Sequence, residues 1–187
     1  MTHPDGPDGP DRVEHRAEHA REVAATPEQV WDAIATSDGI SAWMVPTRLD
    51  PRTGGEVTFD HGGLRSTGVV TDYAPNRRFA YEEPWPMTEA MRGWVADTAG
   101  HEVTDEELAS ISPLATEFLI EAAFGGSCVL RVVSSSYGSG ADWENEYFAE
   151  MVAGWGESPF GPGEQAPWLD NLIRHLHAAN AQDGTPR

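Results

Sequence analysis

The fold is decided by residues 23–44, VAATPEQVWDAIATSDGISAWM. Thr26 carries the side chain of a helix N-cap, and Pro27 suits the first helical position. Gln29 follows Thr26 by three residues, where its side chain can return a hydrogen bond to the cap. The segment therefore predicts a strand end, a short amphipathic helix and, beyond residues 37–39, a second helical turn with a large apolar tip.

Strand patterns separated by turn signals occupy most of the rest of the chain. They cover residues 14–23, 47–49, 56–60, 66–73, 78–83, 115–123 and 128–137. The connections between them are mostly short, which favours antiparallel neighbours. Alternation puts Phe79, Tyr81 and Glu83 on one face, and the aromatic residues require that this face be covered.

The C-terminal region supplies the cover. Phe148, Met151, Val152 and Trp155 follow helical spacing, and residues 168–176 do so again. The intervening residues 156–167 contain too many glycines and prolines to remain helical, so we expect a loop that interrupts one long helix. We expect Asp142 to cap its start. Residues 86–113, between two strands, are too long for a hairpin loop and should contain helices.

These patterns predict one domain over residues 12–178, with a disordered tail at residues 1–11 and a flexible tail at residues 179–187. Twelve basic and thirty-one acidic side chains give a net charge of −19, which disfavours nucleic acid and anionic membranes as partners. No apolar run is long enough for a membrane span or a signal peptide, so the expected location is cytoplasmic. The single cysteine, Cys128, lies in an apolar run and reads as a core residue.

Several quoted motifs together resemble one family. They are TPEQVWDAIATSDGISAWM, GGEVTF, GVVTDYAPNRRFAYE, CVLRVVSSSYG and EYFAEMVAGW with LDNLIRHL. The chain resembles the SRPBCC superfamily, which includes START and birch-pollen-allergen-like proteins, and within it the branch named after the activator of heat-shock-protein-ninety ATPase. The resemblance covers about residues 15–176. It implies an α+β helix-grip fold, in which a curved antiparallel sheet of six to seven strands wraps around a long C-terminal helix.

The same resemblance implies a cavity between the sheet and the C-terminal helix, occupied by an apolar or amphipathic small molecule. Strand parity and helical spacing then nominate its lining. The candidates are Trp43, Met44, Phe59, Val70, Tyr81, Glu83, Phe118, Ile120, Leu130, Val132, Ser134, Met151 and Trp155. Core packing is the alternative for each apolar residue taken singly.

Glu83 is the strongest candidate for chemistry, because a carboxylate on an apolar face is costly unless it has a partner or a raised pKa. It can act as a general acid or base, with His61 as the best second group. In the alternative, Glu83 turns to solvent beside Pro84 and His61 is an exposed turn residue. The histidine spacings do not match a metal site, and no cofactor is expected.

Three functions follow, in this order. The first is binding of an apolar or aromatic small molecule, without catalysis. The second is a cyclase, dehydratase or hydrolase that uses Glu83 as its acid or base. The third is a chaperone-associated interaction protein. A monomer and a homodimer are both compatible with the sequence.

Overall fold

Seven antiparallel strands form one sheet in the order β1-β7-β6-β5-β4-β3-β2. The structure is a computed structural model that describes residues 12–153 and 168–183. The strands are β1 (Val13–Val23), β2 (Thr47–Leu49), β3 (Glu56–Asp60), β4 (Arg65–Ala74), β5 (Arg78–Glu83), β6 (Leu114–Ala122) and β7 (Cys128–Gly138). The seven predicted strands are confirmed, with ends that differ by at most one residue.

Two short helices, α1 (Pro27–Ile34) and α2 (Ser37–Trp43), follow β1. The Thr26 hydroxyl accepts from the Gln29 backbone N–H, and the Gln29 side chain accepts from the Thr26 N–H at 2.9 Å, so the predicted capping box is confirmed. Thr36 caps α2 by accepting from the Gly39 N–H. These caps satisfy backbone donors that a helix start otherwise leaves without partners.

One face of the sheet carries the main hydrophobic core, as alternation predicts. Val57, Phe79 and Leu130 are fully buried there, together with Val30 and Ile34 from α1. The helix-grip arrangement of the α+β fold is confirmed, because helices cover this face of the curved sheet.

The segment between β5 and β6 contains two helices, as predicted: α3 (Glu89–Ala99) and α4 (Asp105–Ser110). Val95 and Val103 from this segment pack against Trp143 and Tyr147 in a second hydrophobic cluster. Trp85 lies at the boundary and packs against both clusters. The segment is therefore an additional layer attached to the domain by its own small core.

The C-terminal cover consists of two helices, α5 (Asp142–Val152) and α6 (Trp168–Asp183). The predicted cap at Asp142 is wrong: Ala141 is the N-cap residue and makes no side-chain cap bond. Glu144, in the first turn, instead accepts from the backbone N–H groups of Ser139 and Gly140. The predicted loop at residues 156–167 and the tail at residues 1–11 lie outside the described residues.

Helix α6 continues to Asp183, past residue 178, where the sequence analysis ended the domain. Asn180 explains the extension, because its side chain accepts from Gln29 Nε2 at 2.6 Å and donates to the Ala24 carbonyl. These bonds hold the end of α6 against the start of α1. None of the helices in the described ranges has the length and apolar character needed to span a membrane.

Candidate functional site

A cavity of about 400 Å³ lies between the sheet, α3, α5 and the start of α6. Its lining consists of Met44, His61, Leu64, Ser66, Tyr81, Glu83, Pro86, Met91, Leu114, Thr116, Tyr147, Glu150, Met151 and Trp168. Most of this wall is aliphatic, aromatic or thioether surface, and a few polar groups interrupt it. Cavities of this size and composition are typical of small-molecule sites.

Five of the residues singled out from the sequence meet at this cavity: Met44, His61, Tyr81, Glu83 and Met151. They come from the C-cap of α2, the turn after β3, strand β5 and helix α5. The fold therefore brings together residues that are far apart in sequence. Trp155 falls outside the described residues.

The other predicted lining residues do not line this cavity and are buried in the packed interior. They are Trp43, Phe59, Val70, Phe118, Ile120, Leu130, Val132 and Ser134. The reason is that α1, α2 and α6 pack together over the part of the sheet beneath them. Trp43 illustrates this position, since its indole Nε1 donates to the Ala33 carbonyl at 2.9 Å and ties α2 to α1.

Nine lining residues were not identified from the sequence: Leu64, Ser66, Pro86, Met91, Leu114, Thr116, Tyr147, Glu150 and Trp168. Parity would have found Ser66, which shares a strand face with Val70. Helical spacing would have found Tyr147, which stands four residues before Met151. Pro86 and Met91 carried no such signal, because the position of their segment depends on tertiary packing.

Glu83 is half-buried and its carboxylate faces the cavity wall rather than turning into solvent. The Ser66 hydroxyl donates to its Oε2 at 2.5 Å. Desolvation raises the pKa of Glu83, and the bond from Ser66 opposes that shift. Glu83 is therefore an acid whose charged form is stabilised by a neutral hydroxyl.

Tyr81 is buried beside Glu83, and burial raises the pKa of its phenol, with the nearby Glu83 charge acting in the same direction. The Thr116 side chain, opposite Tyr81 on β6, hydrogen-bonds the phenol. Ser134 lies opposite Thr116 on β7, and its buried hydroxyl has no hydrogen-bond partner among the described residues. The polar groups thus form a row across three strands, with Tyr81 and Thr116 at the cavity.

His61 is an exposed residue in the turn after β3, as the alternative reading expected, yet it also borders the cavity. Its ring lies 6.3 Å from the rings of Phe59 and Trp168. Partial desolvation lowers the pKa of His61, and the Asp60 charge acts in the opposite direction. The imidazole is therefore biased toward its neutral form at the cavity edge.

A second polar group, not identified from the sequence, lies at the base of α5. Glu144 is 2% exposed, and its carboxylate accepts from Ser139 Oγ and from two backbone N–H groups. His15 Nε2 lies 3.1 Å from Glu144 Oε2, and His15 Nδ1 lies 3.0 Å from Asn145 Oδ1. A Cβ at Gly138 would fall 2.3 Å from Glu144 Oε2, so this close approach requires glycine. The group attaches α5 to β1 and β7.

The described residues offer no cluster of three or more histidine, cysteine, aspartate or glutamate side chains suited to a metal ion. Cys128 is fully buried, and burial raises the pKa of its thiol. Buried thiols of raised pKa are poor nucleophiles at neutral pH.

Solved structures with the same fold share little sequence with this chain. A Staphylococcus aureus protein of unknown function, SA2116, has a TM-score of 0.60 at 12% identity and covers 92% of this chain and 98% of its own. The Aha1 dimer from Colwellia psychrerythraea has a TM-score of 0.54 at 16% identity, covering 87% and 96%. Norcoclaurine synthase from Thalictrum flavum, in complex with dopamine and hydroxybenzaldehyde, has a TM-score of 0.52 at 10% identity, covering 95% and 91%.

At these identities the structural similarities establish the fold and nothing more. No curated protein sequence matches significantly. The family model described as activator of Hsp90 ATPase homolog 1-like protein matches residues 24–158. That match spans most of the domain, from α1 through α5. The chain therefore belongs to the activator of Hsp90 ATPase homolog 1-like family, a branch of the SRPBCC superfamily.

Proposed function

We propose that this protein binds an apolar or aromatic small molecule in the cavity between the sheet and helices α3, α5 and α6. The observation that carries the proposal is an apolar cavity of about 400 Å³ with few polar groups. Transfer of an apolar ligand from water into an apolar cavity is favourable, because it removes apolar surface of both ligand and cavity from contact with water. Ser66, Tyr81, Glu83 and Thr116 would orient the polar end of such a ligand.

The composition of the wall supports a ligand of adaptable shape. Met44, Met91 and Met151 contribute flexible thioether side chains, which adjust to ligands better than branched residues do. Leu64 is 39% exposed at the cavity edge and offers a route of entry. The binding site would therefore combine a fixed polar wall on the sheet with a deformable wall on the helices.

A neutral apolar dye, Nile red, tests binding directly, because its fluorescence rises when it leaves water. We expect saturable uptake by the wild-type protein and weaker affinity, by about tenfold, in Leu64→Trp, since the larger side chain at this lining position takes up space that the dye would occupy. Leu64 is partly exposed, so this change should not disrupt the core. Native mass spectrometry of the purified protein would identify a ligand that remains bound.

Val69→Trp provides the matched control, because Val69 is 53% exposed and does not line the cavity. It should bind the dye as the wild type does. Absence of saturable uptake, or equal loss in both variants, would count against the cavity as a binding site.

Catalysis at Glu83 is the second candidate, and the observation that favours it is the raised pKa of a half-buried carboxyl beside Tyr81. A carboxyl group whose pKa is raised in this way holds a proton more readily than an exposed one, which suits general acid or base work. Norcoclaurine synthase is an enzyme of the same fold, which makes this candidate compatible with the architecture. Glu83→Gln should then abolish turnover while ligand binding remains, whereas equal activity would exclude this role.

The family description and the Aha1 dimer would also accommodate a chaperone-associated role and a homodimer. Both rest on similarity alone, and no contact among the described residues adds support. Cavity binding remains the proposed function.

A further inference from the structure

The cavity wall is acidic. Its charged groups are the carboxylates of Glu83 and Glu150, and the remaining titratable nitrogen, in His61, is biased toward neutrality. Within residues 12–153 and 168–183, no arginine lines the cavity. The chain's twelve basic residues are all arginines, so a lysine cannot supply the missing positive charge.

The arginines nearest in sequence to the lining residues are engaged elsewhere. Arg65 adjoins the lining residue Ser66 but lies in a different groove, with Asp60 and Glu56. Arg92 adjoins Met91 but pairs with Asp105 at 2.9 Å. Residues 154–167 connect α5 to α6, and their composition adds two glutamates and no basic residue. The acidic character of the cavity therefore has no arginine counterion in the part of the lining that the structure describes.

The absence of a counterion destabilises the charged form of Glu83 most. Its hydrogen-bond donor is the neutral hydroxyl of Ser66, and it shares the wall with the buried Tyr81. A half-buried carboxylate without a cation loses hydration that a neutral donor restores only in part. A positive charge placed beside Glu83 would restore the lost stabilisation through a charge-assisted hydrogen bond.

The rest of the wall suits the body of the same ligand. Tyr81, Tyr147 and Trp168 contribute aromatic surface to the lining, and Met44, Met91 and Met151 contribute polarizable thioethers. The carboxylates thus favour a positive ligand over an anionic one, and the apolar wall suits the body of that ligand.

We propose that the cavity selects an organic cation, with a protonated amine beside Glu83 and an apolar or aromatic body against the methionines and aromatic rings. This inference rests on the proposed function, which requires only that the cavity bind a small molecule. It adds the charge class of that molecule.

Three probes with a phenyl group and a short alkyl chain test the inference: phenylpropylamine, phenylpropanol and phenylpropionate, which are cationic, neutral and anionic at neutral pH. Isothermal titration calorimetry measures each affinity for the full-length protein. We expect the amine to bind about tenfold more tightly than the alcohol, and the carboxylate to bind least. Glu83→Gln should remove the preference, so that the variant binds the amine no more tightly than it binds the alcohol.

Glu146→Gln is the matched control, because Glu146 is exposed on α5, does not line the cavity and carries the same charge. It should retain the preference for the amine. If Glu83→Gln and Glu146→Gln weakened amine binding equally, the preference would reflect only the net charge of −19, and the inference would be overturned.

The remaining outcomes separate this inference from the proposed function. Equal affinity for amine and alcohol, or tighter binding of the carboxylate, would overturn the cation preference while cavity binding stands. Failure of all three probes and of Nile red to bind would overturn both.

Discussion

Glu83 occupies a position where burial and hydrogen bonding act in opposite directions. Desolvation raises its pKa from the ordinary value of 4.5, and the bond from Ser66 opposes the shift. Between 4.5 and the higher folded-state pKa, the folded protein binds more protons than the unfolded chain. Folding stability contributed by this group therefore decreases as the pH rises through that interval.

Glu83→Gln removes this titration. Its free energy of unfolding, relative to that of the wild type, should increase as the pH rises from 4.5 upward, and urea denaturation across that range measures the difference. Glu82→Gln is the control, because Glu82 is the exposed neighbour on the same strand and carries the same charge. A Glu83→Gln difference that does not change with pH, or one that Glu82→Gln matches, would contradict the raised pKa.

Strand alternation predicts which face of the sheet a residue occupies, but not whether that residue lines the cavity. Alternation correctly placed Glu83 on the face of Phe79 and Tyr81, since side-chain direction in a strand depends on position alone. It did not distinguish cavity from core, because Phe118 and Tyr81 share that face but only Tyr81 borders the cavity. Whether a covered position is filled depends on how closely the opposite helix approaches, which the strand sequence does not encode.

Helix α5 depends on a buried carboxylate for its attachment. Glu144 satisfies the N–H groups of Ser139 and Gly140 and contacts His15 on β1. The same helix presents Tyr147, Glu150 and Met151 to the cavity. The attachment therefore fixes one wall of the site.

Glu144→Ala leaves two backbone donors and a buried histidine without their acceptor. We expect a loss of about 3 kcal/mol in the free energy of unfolding, measured by urea denaturation. Glu146→Ala, an exposed change in the same helix, should cost less than about 0.5 kcal/mol. Similar small losses in the two variants would show that Glu144 does not attach the helix.

Predictions for whole helices were correct where local sequence determines the helix start. They were wrong where tertiary packing determines which residue makes the bonds. Thr26 and Gln29 predicted the start of α1 because a capping box is local chemistry. Asp142 has the residue type of an N-cap, but at the start of α5 it is the buried Glu144 carboxylate that accepts the backbone N–H bond from Gly140. The contact of His15 with Glu144 joins positions 129 residues apart, beyond the reach of any local pattern.

The covered face of the sheet has two parts: one is filled by the main hydrophobic core, and the other borders the cavity. Helices α1 and α2 and most of α6 fill one part with the main core, whereas α3, one side of α5 and the start of α6 border the part that retains the cavity. Family resemblance predicted that a cavity would exist. Its position and wall depended on the segment between β5 and β6, whose Pro86 and Met91 line it and whose placement results from a second hydrophobic cluster.

Methionine methyl NMR tests cavity binding most directly, because the chain has five methionines and Met44, Met91 and Met151 line the cavity. Methyl-labelled protein would be titrated with phenylpropanol, the neutral probe, so that the outcome does not depend on ligand charge. Met87, which packs in the second cluster and does not line the cavity, serves as the internal comparison. We predict saturable shifts of the Met44, Met91 and Met151 signals that exceed the shift of Met87; saturable binding that leaves those three signals unmoved would contradict the cavity as the binding site.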